Sequence, residues 1–113
     1  LQNEQQMDSV TGVSGSGPAY VFLMIEALAA AGVNQGLPTD MAMQLAQATV
    51  AGAGALAIHA GESAEQLRIN VTSPNGTTQA ALDILMHSET GLPQLLDQAV
   101  AAASRRSREL SNG

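Results

Sequence analysis

The stretch from Met41 to Gly61 contains no Asp, Glu, Lys or Arg and is rich in Ala and Gly. A helix of this length can cross a lipid bilayer. The stretch nevertheless carries Gln44, Gln47 and His59, and it has few of the Leu and Ile residues that favour insertion into lipid. We therefore predict a helix that is buried in a protein interface, and no contact with a membrane.

The rest of the chain also has helical periodicity, and no useful length of it alternates apolar and polar residues as a half-buried strand does. We therefore expect an all-α fold, with breaks at the glycines and prolines of residues 36–38, 61 and 91–93. The Gly-rich "TGVSGSG" before Pro18 predicts a flexible entry into the first helix. The first predicted helix begins at Pro18 and ends before Gly36, and the second begins at Thr39 or Asp40 as its cap and ends near Ala60. The third begins at Ser63, as a cap in a capping box with Gln66, and ends at Asn70. The fourth runs from about Thr77 to near His87, and the last begins after Pro93 and ends beyond Ala103.

The charged residues make up only 12% of the chain, about half of the ~25% that is usual. Part of the surface is therefore expected to lie against another chain, which predicts a homo-oligomer. Small residues in the second helix form two smooth ridges, one of Ala48, Gly52 and Ala55 and one of Ala53 and Ala57, which would let a partner helix approach closely. The apolar faces predicted to point inward contain Val21, Met24, Ile25, Leu28 and Gly32, then Ala81, Ile84, Leu85 and Ser88, and finally Leu95, Leu96, Ala99, Val100 and Ala103.

The net charge of −6 and the absence of Lys exclude a nucleic-acid surface, which needs distributed basic side chains and stacking aromatics. Three of the four arginines lie together at residues 105–108, where they complement the negative end of the last helix. No Cys is present, so a disulfide framework and a thiolate metal site are excluded. His59 and His87 have no further ligand at metal-binding spacing, and we expect no metal.

The segment "GVSGSGPAY" has the composition of a nucleotide-binding loop but not its pattern. The dinucleotide fingerprint requires a third Gly and a preceding strand, and the phosphate loop requires a Lys after the last Gly. Neither is present, so the segment is not expected to bind a cofactor.

The segment "NVTSPNGTTQAAL", residues 70–82, concentrates small polar side chains before an apolar helix. Its Pro and Gly turn the chain into a helix whose first N–H groups lack partners and suit a carboxylate or phosphate. Ser73, Thr77 and Thr78 add hydroxyl groups that can donate to an anion or a ring nitrogen. From the residues alone two interpretations stay open, because Ser, Thr and Asn are also ordinary helix caps.

Two stretches of the chain together strongly resemble the C-terminal domain of pyrroline-5-carboxylate reductase. They are "DSVTGVSGSGPAYVFLMIEALAAAGVNQGLP", residues 8–38, and "NVTSPNGTTQAAL", and the closing "AVAAASRRSREL" is also typical. The resemblance covers residues 8–113. It implies an intertwined helical dimerisation domain, similar to the C-terminal domain of 6-phosphogluconate dehydrogenase. It also implies that the protein is cytoplasmic and forms a homodimer or a ring of dimers.

In this family, proline synthesis ends with hydride transfer from NADPH or NADH to the C=N carbon of pyrroline-5-carboxylate. Carried onto this chain, the resemblance implies that Ser73 and the backbone N–H groups of Gly76 and Thr77 hold the substrate carboxylate. Thr78, the catalytic candidate, would hydrogen-bond the ring nitrogen. Asn70 would lie near the nicotinamide, and no metal is implied.

The chain departs from the family pattern in two respects. Asn75 stands where the family usually has Gly, and Asn is the non-Gly residue best able to adopt left-handed geometry. The Rossmann domain that holds the cofactor is absent, so residues 1–7 are expected to be its remnant or connector, and the chain alone is expected to be inactive. The alternatives are the helical domain of another two-domain NAD(P)-dependent dehydrogenase and a non-enzymatic helical interaction module.

Overall fold

The computed structural model describes residues 3–112, and within that range it contains helices and no strands. The elements are α1 (Glu4–Val10), a π-helical segment (Thr11–Gly15), α2 (Gly17–Asn34), α3 (Thr39–His59), α4 (Ala64–Asn70), α5 (Thr77–Leu85) and α6 (Leu92–Asn112). The all-α prediction is therefore confirmed. The described residues form two compact units: Ala19–Asn70 is one, and the residues before and after it make up the other.

Small side chains form the contact between α2 and α3 in the unit of Ala19–Asn70. The buried hydrophobic residues of this contact are Ala29, Ala42 and Ala46. Gly32 lies beside them, and a Cβ atom on it would be 3.4 Å from the Ala42 Cβ atom. Because these residues are small, the apolar area that the contact removes from water is also small.

The turn between α2 and α3 is a Schellman motif. The Leu37 N–H donates to the Gly32 carbonyl at 3.1 Å, and the Gly36 N–H donates to the Val33 carbonyl at 2.9 Å. Gly36 has a φ of 104°, which only Gly adopts without strain. The predicted break at residues 36–38 therefore has a definite cause, since the motif satisfies the last carbonyls of α2.

The other helix ends test the predicted caps. The prediction that Thr39 or Asp40 caps α3 was wrong, because the cap position is Pro38, which makes no side-chain cap hydrogen bond. The predicted stop at Gly61 is confirmed by its φ of 74°. Ser63 caps α4 as predicted, since its Oγ atom accepts the Gln66 N–H at 3.0 Å.

In the second unit α6 packs against α1 and the π-helical segment. A Cβ atom on Gly12 would lie 2.9 Å from the Val100 carbonyl oxygen, so Gly permits this close approach. The prediction of a flexible entry before Pro18 was therefore wrong: Thr11–Gly15 is helical because its packing against α6 offsets the poor helix propensity of Gly. Helix α5 ends at Leu85, slightly before the predicted His87.

Most large apolar side chains of the chain are exposed. The prediction that these apolar faces point inward was wrong for the single chain: Ile84 is 74% exposed and Leu95 is 56% exposed. The ridge residue Gly52 has no atom within 4 Å of the place where its Cβ atom would be. By length and composition, Glu4–Asn34 and Thr39–His59 could each cross a bilayer.

The predicted connector, residues 1–7, falls partly on α1, which begins at Glu4. Leu1 and Gln2 lie outside the described residues. The boundary between connector and domain stays a prediction.

Candidate functional site

A tight turn leads into α5. The Gly76 N–H donates to the Ser73 carbonyl oxygen at 3.1 Å. Pro74 takes the second position of the turn with its fixed negative φ, and Asn75 takes the third with a φ of 60°. A negative φ followed by a positive φ is the pattern of a type II turn. Asn75 therefore adopts the left-handed geometry for which Asn is suited.

Gly76 is the residue at which the turn meets the helix. A Cβ atom there would lie 3.3 Å from both the Cβ atom and the carbonyl oxygen of Ser73. A Cβ atom at this position would therefore press against Ser73, and the absence of a side chain lets the turn close.

The N-terminus of α5 has no side-chain cap. Its cap position is Gly76, in extended backbone, and no side chain accepts a hydrogen bond from the first turn. Among the described residues, the hydroxyl groups of Ser73, Thr77 and Thr78 have no hydrogen-bond partner. Ser63 by contrast caps α4. These hydroxyls therefore do not serve as a cap, and the interpretation that they bind a ligand stays a prediction.

The donors around this turn are neutral. No Lys or Arg occurs between Arg68 and Arg105, whereas Asp83, Glu89 and Asp97 do. An anion at this turn would therefore be held by backbone N–H groups, hydroxyls and the positive end of the α5 dipole. Thr78 is half-buried, while Ser73 and Thr77 are exposed.

The Gly76 N–H, predicted to hold the substrate carboxylate, instead donates within the turn. The N–H groups of Thr77 and Thr78 follow it, and within the described residues they have no acceptor. These two groups, with the hydroxyls of Ser73 and Thr78, are the donors that the turn leaves unpaired.

Asn70 lies at the end of α4, in the other unit. Its Oδ1 atom accepts from Gln66 Nε2 at 2.8 Å, and its Nδ2 atom donates to Glu62 Oε2 at 3.3 Å. One N–H and one lone pair of the carboxamide stay available to a ligand.

The remaining candidates of the sequence analysis do not form a site. Among residues 3–112 no three His, Cys, Asp or Glu side chains are grouped as a metal site would require. His87 has a local role, since its Nδ1 atom accepts the Glu89 N–H at 3.1 Å. The hydrogen bond between Asp8 and Ser107 was not predicted, because no local signal relates residues so distant in sequence.

A family model described as pyrroline-5-carboxylate reductase dimerisation matches residues 4–110. The chain belongs to this family. It is 50% identical over 109 residues to the pyrroline-5-carboxylate reductase of Pisum sativum, covering 96% of this chain and 39% of that protein. It is 51% identical over 107 residues to the pyrroline-5-carboxylate reductase of Synechocystis, covering 95% of this chain and 39% of that protein.

Solved structures of the family agree with the fold. A pyrroline-5-carboxylate reductase from Coxiella burnetii matches with a TM-score of 0.90 and 41% identity, over 97% of this chain and 40% of that one. The Plasmodium falciparum pyrroline carboxylate reductase, solved with NADP bound, matches with a TM-score of 0.87 and 34% identity, over 95% of this chain and 40% of that one. The chain thus spans about 40% of the length of the relatives it matches.

Proposed function

We propose that the chain forms the substrate-binding and dimerisation part of a pyrroline-5-carboxylate reductase, which reduces 1-pyrroline-5-carboxylate to L-proline. The observation that carries the proposal is the uncapped start of α5, with the unpaired hydroxyls of Ser73, Thr77 and Thr78 beside it. A simple helix cap would use one of these groups. A carboxylate ligand would use several at once.

The substrate carboxylate would lie at the N-terminus of α5. Ser73 Oγ and the N–H groups of Thr77 and Thr78 donate to its oxygens, and the helix dipole adds a favourable field. Gly76 contributes by lacking a side chain, which leaves the N–H groups accessible. Because no cationic side chain takes part, binding should depend only weakly on salt.

The Thr78 hydroxyl would hydrogen-bond the ring nitrogen of the substrate. Reduction of the C=N bond changes the charge and protonation of this nitrogen, so a fixed hydroxyl beside it orients the ring and steadies the change. The catalytic contribution of the chain is therefore positioning and electrostatics. General-base chemistry is not required of the residues around the turn.

A nicotinamide cofactor, NADPH or NADH, would supply the hydride when bound. The residues present fit only a small part of it: the free N–H and lone pair of Asn70 suit a carboxamide, and the Gly-rich segment lacks the dinucleotide pattern. The rest of the cofactor would be held by a Rossmann domain.

We propose further that the chain acts as a homodimer, or as a ring of dimers, with intertwined helices. Its support is the exposed apolar surface, which includes Phe22 at 63% and Ile58 at 79% exposure, together with the dimerisation family to which the chain belongs. The two apolar helical stretches of spanning length would then lie in protein interfaces of a cytoplasmic enzyme. Gln44 and Gln47 on α3 favour this location over lipid.

The experiment that tests the proposal compares Thr78→Val with Thr90→Val in the full-length reductase. Thr78→Val should reduce kcat/KM by an amount equivalent to about 1–3 kcal/mol, because a polar partner in the substrate is left unpaired. Thr90→Val, the same change in the exposed loop before α6, should leave steady-state kinetics unchanged. Equal kinetics of the two variants would refute the role of Thr78.

A further inference from the structure

Asn75 combines three properties that favour chemical reaction of its side chain. It is exposed, its carboxamide has no hydrogen-bond partner among the described residues, and the next residue is Gly76, whose backbone nitrogen has no side chain beside it. It also holds the left-handed φ of 60° at the centre of the turn.

Asn70 provides a contrast only a few residues away. Its carboxamide is held at both ends, by Gln66 Nε2 at 2.8 Å and by Glu62 Oε2 at 3.3 Å. The following residue is the β-branched Val71, whose side chain hinders approach of its backbone nitrogen to the Asn70 carboxamide. The two asparagines therefore differ both in freedom of the carboxamide and in access to it.

We propose that Asn75 is a site of spontaneous deamidation that disables the candidate site. The Gly76 backbone nitrogen attacks Asn75 Cγ, and the new N–Cγ bond replaces the Cγ–Nδ2 bond as ammonia leaves with the amide proton. Water then opens the cyclic imide at either carbonyl and gives aspartate or isoaspartate. No oxidant or reductant takes part.

The turn controls how fast this reaction proceeds. In the closed turn the attacking nitrogen is engaged, because the Gly76 N–H donates to the Ser73 carbonyl oxygen. The hydrogen bond has to open before Gly76 can attack, so the rate follows the fraction of time in which the turn is open. Asn75 in the folded chain should react more slowly than in the denatured chain, but faster than Asn70.

The product acts on ligand binding through charge, and this step rests on the proposed function. Either product places a negative charge two residues before Thr77, whose N–H would receive the substrate carboxylate, and isoaspartate also lengthens the backbone of the turn. Repulsion between the two like charges should weaken binding by about tenfold. The Gly that the family usually has at this position cannot undergo the reaction.

The first experiment follows the reaction by mass spectrometry and requires no activity. The folded chain is incubated at mildly alkaline pH beside a chain denatured in urea, then digested, and fragmentation locates each conversion of an amide to an acid. Asn112, which also precedes Gly in the sequence, serves as the reactive reference and Asn70 as the unreactive one. Conversion at Asn75 above that at Asn70 in the folded chain is expected. Equal conversion of Asn75 and Asn70 in the folded chain, together with reaction of Asn75 in the denatured chain, would overturn the proposal.

The second experiment measures the consequence with tetrahydrofuran-2-carboxylate as the probe. Asn75→Asp should bind it about tenfold more weakly than the original chain, whereas Asn75→Gly should bind it equally well and show no conversion at this position. Equal binding by Asn75→Asp would overturn the inactivation step. If the original chain does not bind the probe, the proposed function fails, while the mass-spectrometric result for Asn75 still stands.

Discussion

Ser107 Oγ donates a hydrogen bond of 2.8 Å to Asp8 Oδ1, although 99 residues separate them in sequence. Asp8 is buried at 8% exposure. A buried carboxylate needs a donor, because removal from water is unfavourable unless hydrogen bonds replace the lost hydration. This pair therefore fastens α6 to α1.

Replacement of Ser107 by Ala should destabilise the chain by leaving the Asp8 carboxylate without this donor. We expect the free energy of unfolding to fall by about 1–2 kcal/mol, measured by urea denaturation. Ser111→Ala is the matched control, since Ser111 Oγ donates only to the exposed Arg108 carbonyl on the same helix. A decrease of the same size in both variants would show that the Asp8 contact has no special role.

The two helix N-termini with neighbouring hydroxyls should respond differently to loss of those hydroxyls. Ser63→Ala removes a real cap from α4, and it should lower the free energy of unfolding by about 1 kcal/mol. Ser73→Ala removes a hydroxyl without a partner among the described residues, so stability should stay within about 0.5 kcal/mol while binding of a carboxylate ligand is lost. Thermal and urea denaturation provide the first measurement and ligand titration the second. Loss of stability in Ser73→Ala would mean that it has a structural role.

The smooth ridge of α3 should be sensitive to size if a second copy packs on it. Gly52 has nothing within 4 Å of its missing Cβ atom inside the chain, so Leu at this position meets no obstacle in a single chain. In a close-packed dimer Gly52→Leu would overpack the interface, which would make the free energy of dimerisation less favourable by about 1–3 kcal/mol or more. Sedimentation equilibrium should show at least a tenfold weaker dimer. An unchanged dimer would exclude this ridge from the interface.

Local signals predicted much of the fold. The helical period located α2 to α6, and Gly36 and Gly61 marked helix ends because each has a positive φ. Ser63 was predicted as a cap because a Ser three residues before Gln is a capping signal. Asn75 was predicted to hold the turn because its side chain tolerates left-handed backbone.

The errors arise where distant parts of the chain decide the outcome. The segment Thr11–Gly15 is helical since Gly12 packs closely on Val100 of α6, which no local propensity indicates. Periodicity also shows that a helix face is apolar but not which chain covers it. For this reason the faces containing Ile84 and Leu95 were predicted to point inward, yet they are exposed in the single chain.

The residues of the candidate site stay a prediction, and the hydrogen bonds of the turn could not be predicted from the sequence. The sequence left both a cap and a ligand site possible for Ser73, Thr77 and Thr78. The structure shows that Gly76 takes the cap position without help from a side chain. The sequence could not show that the Gly76 N–H closes the turn on Ser73, because that choice depends on backbone geometry.

The most direct test of the account is an amide-resolved NMR titration of the chain with tetrahydrofuran-2-carboxylate, with its neutral alcohol analogue as the control ligand. We expect saturable shifts centred on residues 73–79 with the carboxylate, much weaker shifts with the alcohol, and none at the capped N-terminus of α4. Absence of saturable shifts at residues 73–79, or equal shifts with both ligands, would contradict the claim that the start of α5 is a carboxylate site.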